Sequence, residues 1–100
     1  MSKQTAPVHP GEILREEFLI PLKLSAGKVA KATGIPRTRI ERVAEQKTGI
    51  TADTALRLAA FFGNSADFWT NLQSHYDLMT ARKEIGKQLE KIEQYKDEAA

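Results

Sequence analysis

Apolar residues recur along this chain at helical spacing in five successive stretches, separated by short runs of proline, glycine and hydroxyl side chains. The first stretch runs from Glu12, with Ile13, Leu14, Phe18 and Leu22 on one face, and Pro21 is expected to end it because proline lacks an amide N–H. Before it, His9-Pro10-Gly11 reads as a turn, and residues 1–8 lack periodicity and read as a flexible arm. Ser25 is placed to cap a second helix that Gly34 closes, since glycine accepts the left-handed conformation at a helix end. Pro36 restarts the chain at or beside the first position of a third helix, expected to reach about Glu45. Thr51 caps a fourth, with Ala55, Leu58, Ala59 and Phe62 repeating at i, i+3, i+4, i+7 and Gly63 at its end. Ser65 caps a fifth, periodic through Phe68, Trp69, Leu72, Tyr76 and Met79 and continued by a charged extension carrying Ile85, Leu89 and Ile92. No stretch alternates as a strand would, so the expected fold is all-α.

The second and third stretches meet the demands of a helix-turn-helix. Two closely crossing helices need a small residue four positions before the turn, and Ala30 is there. The turn needs a residue that accepts positive φ, which Gly34 supplies. Val29, Ile35, Ile40 and Val43 are apolar at the positions that lock the pair. If Ile40 and Val43 face inward, then Arg37, Thr38, Glu41, Arg42 and Glu45 project outward. A recognition helix meets base edges mainly with its N-terminal residues. Arg37 and Arg42 suit bidentate bonding to guanine, and Thr38 offers a hydroxyl or a methyl group, so these three are the candidate base contacts. Glu41 stands i+4 from Arg37 and is read as its ion-pair partner. Candidate phosphate contacts are Ser25, Lys28, Arg39, Lys47, Thr48 and Thr51.

Charge sharpens this picture. The net charge is only +2, but the window from Lys23 to Lys47 holds seven basic residues against Glu41 and Glu45, while residues 51–100 hold six basic and eight acidic ones. A basic middle in a nearly neutral chain is the footprint a phosphate backbone would meet. The chain has no cysteine, which excludes disulfides and thiolate metal sites. No apolar run approaches the roughly 20 residues a membrane span needs, and the N-terminus lacks the apolar core of a signal peptide, so a cytoplasmic location is expected. His9 and His75 lie in different elements, and consecutive residues of Ser74-His75-Tyr76-Asp77 point apart on a helix, so neither catalysis nor a cofactor is expected. A protein-interaction module is the rival: Ile85, Leu89 and Ile92 form a short stripe that would dock on this chain, close a dimer or receive a partner. Gly86 interrupts it at a cost of about 1 kcal/mol relative to alanine.

The stretches HPGEILREEFLIPL, GITADTALRLAAFFGNSADFWTNLQ and YDL resemble the HigA (also VapI) antitoxins, a branch of the helix-turn-helix repressors, over His9 to Leu78. The resemblance implies a five-helix, lambda-repressor-like domain over residues 9–80, with residues 81–100 a partly mobile helical extension. It further implies a homodimer that represses its own operon at an inverted repeat in double-stranded DNA and neutralises a small co-encoded toxin, a ribonuclease that cleaves messenger RNA. A stand-alone repressor is the alternative. Pro36 stands where many relatives have serine, and Glu45-Gln46 where many have Asn-Gly, so sequence preference does not transfer from them. Trp69 is expected in the core, with Asn71 and Gln73 satisfying backbone groups or lying at a dimer seam.

Overall fold

Capping chemistry sets most of the helix boundaries. In a computed structural model that describes residues 6–97, five α-helices follow one another: α1 (Pro10–Ile13), α2 (Ala26–Thr33), α3 (Arg37–Ala44), α4 (Ala52–Phe62) and α5 (Ala66–Leu89). Ser25, Thr51 and Ser65 each accept a hydrogen bond from the amide three residues on, at 3.0, 3.3 and 3.0 Å, and so start α2, α4 and α5. Gly34 and Gly63 close α2 and α4 at φ 82° and 76°. No strand occurs among the described residues. The fold is all-α and lambda-repressor-like.

The N-terminal segment departs from expectation. His9-Pro10-Gly11 is not a turn but the start of α1: the His9 ring Nδ1 accepts from the Gly11 amide at 2.9 Å, and Pro10 takes the first helical position, where its missing N–H does no harm. From Leu14 to Leu19 the chain winds as a π-helix, with the Ile20 amide bonding the Arg15 carbonyl at 3.0 Å. The wider turn brings Leu14 and Leu19, five residues apart, both into the core. Leu22, expected on the apolar face, is instead 55% exposed, because the helix has already ended and the chain reverses at Lys23 with φ 56°.

Val29, Ile35, Ile40 and Val43 are buried at the α2–α3 crossing as their spacing requires, and Ile50, Ala55, Leu58 and Trp69 join them in one core. Phe18 sits between Phe62 and Trp69, with ring centroids 4.6 and 5.1 Å away. The Trp69 indole N–H, which needs a partner once buried, donates to Asn64 Oδ1 at 3.1 Å.

The last helix runs through residue 80 and on to Leu89 with a kink at Ile85. Only Ile85, beside Gly86, leaves helical geometry, at φ −116° and ψ 16°. Ile85, Leu89 and Ile92 remain exposed, so the stripe does not dock on this chain, and Ile92 lies beyond the helix end. Residues 1–5 of the expected arm and 98–100 of the extension lie outside the described residues. No described helix is long and apolar enough to cross a membrane.

Candidate nucleic-acid interface

Burial of Ile40 and Val43 fixes the phase of α3, and Arg37, Thr38, Glu41, Arg42 and Glu45 all stand exposed on its other side. The candidate contacts fall into two neighbouring groups. Thr38, Arg39, Arg42 and Thr48 surround a shallow depression of about 210 Å³ together with Pro36. Arg37 lies on the other flank, its Cδ positioned 3.6 Å from where a Cβ on Gly27 would stand, next to the Ser25 hydroxyl that starts α2. A Cβ on Gly27 would meet Arg37 at ordinary van der Waals distance, so the side chain passes close over α2 without depending on glycine there.

Pro36 occupies the N-cap of α3 and provides no side-chain cap. The Arg39 amide bonds the Pro36 carbonyl at 3.0 Å, which leaves the Arg37 and Thr38 amides at the start of α3 for external partners. The far end of α3 is held firmly. Arg15 donates from its guanidinium to the Ala44 carbonyl, and the Gly11 Cα lies tight against the Val43 carbonyl. A cation at a helix C-terminus satisfies an orphan carbonyl and complements the helix dipole.

Three of the five candidate cations are engaged in exposed ion pairs. Arg37 lies 3.6 Å from Glu41, Arg39 lies 3.7 Å from Asp53, and Lys47 lies 3.3 Å from Glu45. Such pairs contribute about 0–1 kcal/mol, so exchange of carboxylate for phosphate or base costs little. Lys28 is exposed on α2, and Ser25 retains its hydroxyl proton after accepting from the Lys28 amide. Thr51 differs: it accepts from the Thr54 amide and donates to the Thr54 hydroxyl at 3.2 Å, so its hydroxyl is committed within α4.

Two supporting side chains, Arg57 and Asp53, had not been singled out from sequence. Arg57 donates to the Thr33 carbonyl at 2.9 Å and to Asp53 at 3.1 Å, tying α4 to the end of α2. Asp53 thus holds both Arg57 and Arg39, and its i, i+4 spacing from Arg57 is the one legible signal. Gln73, expected to satisfy backbone, accepts from the Ile50 amide at 2.7 Å, just past the Lys47-Thr48 loop. Asn71 is exposed and Trp69 is fully buried. No cluster of three metal-ligating side chains occurs among the described residues.

His9 gives the fold a pH dependence. Burial pushes its pKa below the ordinary 6.5, and the Asp77 carboxylate only partly offsets this. With the folded pKa depressed, the unfolded chain protonates first as pH falls. Stability is then level above about pH 6.5 and declines as acidity moves from 6.5 towards the folded pKa. A urea midpoint followed from pH 8 to 5 should show this decline, and His9→Asn, which keeps a capping acceptor, should flatten it. A midpoint that stays level in the wild type would count against a buried neutral His9.

A helix-turn-helix family model matches residues 14–69. Virulence-associated protein I of Dichelobacter nodosus is 51% identical over 77 residues, covering 77% of this chain and 71% of that protein. The Pseudomonas aeruginosa antitoxin HigA, solved with the higBA promoter, superposes with a TM-score of 0.85 at 43% identity, covering 90% of this chain and 99% of that one. An addiction module antidote protein of the HigA family from Coxiella burnetii superposes at 0.84 with 47% identity, covering 90% and 99%. With a two-helix unit of the required packing, Arg37 and Arg42 exposed on its second helix and relatives of this closeness, the chain belongs to the helix-turn-helix family, in the branch that holds the HigA and VapI proteins.

Proposed function

We propose that this chain is a sequence-specific DNA-binding antitoxin: as a homodimer it represses its own operon at an inverted repeat, and it neutralises a co-encoded toxin that cleaves messenger RNA. The observation that carries the DNA-binding half is the outward face of α3. Arg37, Thr38 and Arg42 stand exposed and held only by weak contacts, which supports base reading by these three, and Ser25, Lys28, Arg39, Lys47 and Thr48 are the candidates for phosphate. One such unit makes few base contacts, and a two-fold pair reading half-sites one helical turn apart supplies the rest. Exposed Leu78, Ile85 and Leu89 on α5 offer apolar surface to a second protomer. The relative solved on the higBA promoter supports the same reading, and because that relative is an antitoxin it also supports the toxin-directed half. Residues 9–80 would form the DNA-binding domain and the tail beyond them a partner-facing extension, the whole acting in the cytoplasm.

The test is a growth assay in which each small reading frame adjacent to this gene is expressed alone and then with this chain. Arrest by one neighbour, relieved on co-expression, is the expected result. If no neighbour arrests growth, the antitoxin role falls, and a stand-alone repressor using the same face of α3 takes its place.

A further inference from the structure

Among the described residues no hydrogen bond or ion pair joins the fifth helix to a candidate DNA contact, yet one turn of it reaches both segments that flank the far end of α3. On one side, the Gln73 side-chain oxygen accepts from the Ile50 amide at 2.7 Å, and its nitrogen donates to Asp77 at 2.9 Å. The carboxamide lies so close to the loop that a Cβ on Gly49 would stand 2.8–3.1 Å from its atoms, tighter than normal contact. That loop carries Lys47 and Thr48. On the other side, the Tyr76 ring packs edge-on against His9 at 4.8 Å, and Asp77 acts on His9 through its charge. His9 in turn holds Gly11, which lies against the Val43 carbonyl at the last turn of α3.

We propose that Gln73, with Asp77 orienting its carboxamide, is a positioning residue for DNA binding, setting the Lys47-Thr48 loop at the height where it meets phosphate. This rests on the DNA-binding reading above. An amide flips freely unless both its ends are specified. Here the Asp77 carboxylate can only accept, so it takes the Gln73 N–H, and the oxygen is left facing the Ile50 N–H. The loop has no other hydrogen bond from α5 among the described residues. Loss of the acceptor leaves a buried amide unpaired, and the loop must shift to find water. A shift of about 1 Å is enough to degrade a preorganised contact. Because the loop faces phosphate, the loss should be shared by all DNA sequences, unlike the loss of a base-reading arginine.

The experiment uses the full chain and its own operator, with unrelated duplex of equal length as comparison. Gln73→Met keeps the length and apolar body of the side chain but cannot accept. It should weaken both DNAs by a similar factor of about tenfold, with the salt dependence flattened by roughly one unit of slope. Ile50 should also lose hydrogen-exchange protection. Gln73→Glu alone should weaken binding through repulsion from Asp77. Combined with Asp77→Asn, it rebuilds the pair with the bond reversed at unchanged net charge, and binding should recover by more than the two single effects add to. Strict additivity in this cycle, or a Gln73→Met variant whose affinity falls with no change in salt slope, would overturn the proposal. If the wild type itself fails to prefer any operator, it is the DNA-binding reading that fails.

Discussion

Replacing Arg37 and Arg42 together by alanine is expected to reduce the preference for operator over unrelated duplex by at least about thirtyfold and by up to about ten-thousandfold, since each bidentate guanine contact is worth roughly 1–3 kcal/mol of discrimination. Both side chains are exposed on α3, on opposite flanks of its outward surface and five residues apart. On an α-helix that separates them by about 7 Å along the axis, roughly two base steps of duplex. They therefore read different base pairs, and their effects should nearly add. Arg37 is two-thirds exposed, with a side-chain accessibility of 66%, and its only ion pair is the 3.6 Å approach to Glu41. Stability should accordingly change by no more than about 0.5 kcal/mol. That separation of effects is what makes the experiment decisive. Arg39→Ala serves as the contrast: it should weaken operator and unrelated duplex alike, because Arg39 sits on the flank beside Asp53. Competition binding with both DNAs gives the two quantities at once. A double variant that keeps its operator preference would remove α3 from base recognition.

How much of this was legible before the structure depends on the range of the interaction. Ser25, Gly34, Thr51, Gly63 and Ser65 act within three or four residues of themselves, so their residue types alone reveal the ends of α2, α4 and α5. The exposed face of α3 was equally legible, because Ile40 and Val43 fix its phase and no other element can rotate it. The π-helical segment was not. Its amides choose an i→i+5 pattern because Leu14 and Leu19 must both reach a core completed by distant residues such as Trp69, and no local preference marks that. His9-Pro10-Gly11 misled for a related reason. Proline and glycine together suggest a turn, yet here proline fills the first helical position and glycine answers the nearness of Val43, 32 residues on. The same applies to the brackets around the site. Arg57 to the Thr33 carbonyl, Arg15 to the Ala44 carbonyl and Gln73 to the Ile50 amide join residues 23 to 29 positions apart, and such bonds leave no periodic trace. The residues that would touch DNA were thus readable from one helix. Of those that hold them in place, only Gln73 was named from sequence, and without its partner.

Gly11→Ala should be among the most damaging single substitutions in the chain. A Cβ built on Gly11 would fall inside the Val43 carbonyl group and within 3.0 Å of the His9 ring, and the first of these partners is backbone. A flexible side chain could swing aside, but a carbonyl in the last turn of α3 cannot. Val43 O also accepts from the Gln46 amide at 2.9 Å, so displacing it strains the turn that leads into the Lys47-Thr48 loop. Retreat of α1 instead would pull Leu14 from a site where it is fully buried and weaken the Arg15 bond to Ala44. Either response is overpacking against a fixed wall, for which about 2–3 kcal/mol is a fair expectation. In a domain of this size that lowers Tm by about 10 °C or more. Gly86→Ala is the control: nothing lies within 4 Å of its Cβ position, and alanine favours the helix there by about 1 kcal/mol, so Tm should hold or rise. The two variants add the same methyl group, and opposite signs would show that the cost at residue 11 comes from its place against α3. Equal stability of the Gly11→Ala protein would mean that the entry to α1 has slack the packing denies. A stable variant with weakened DNA binding would mean instead that the strain had passed into the recognition helix.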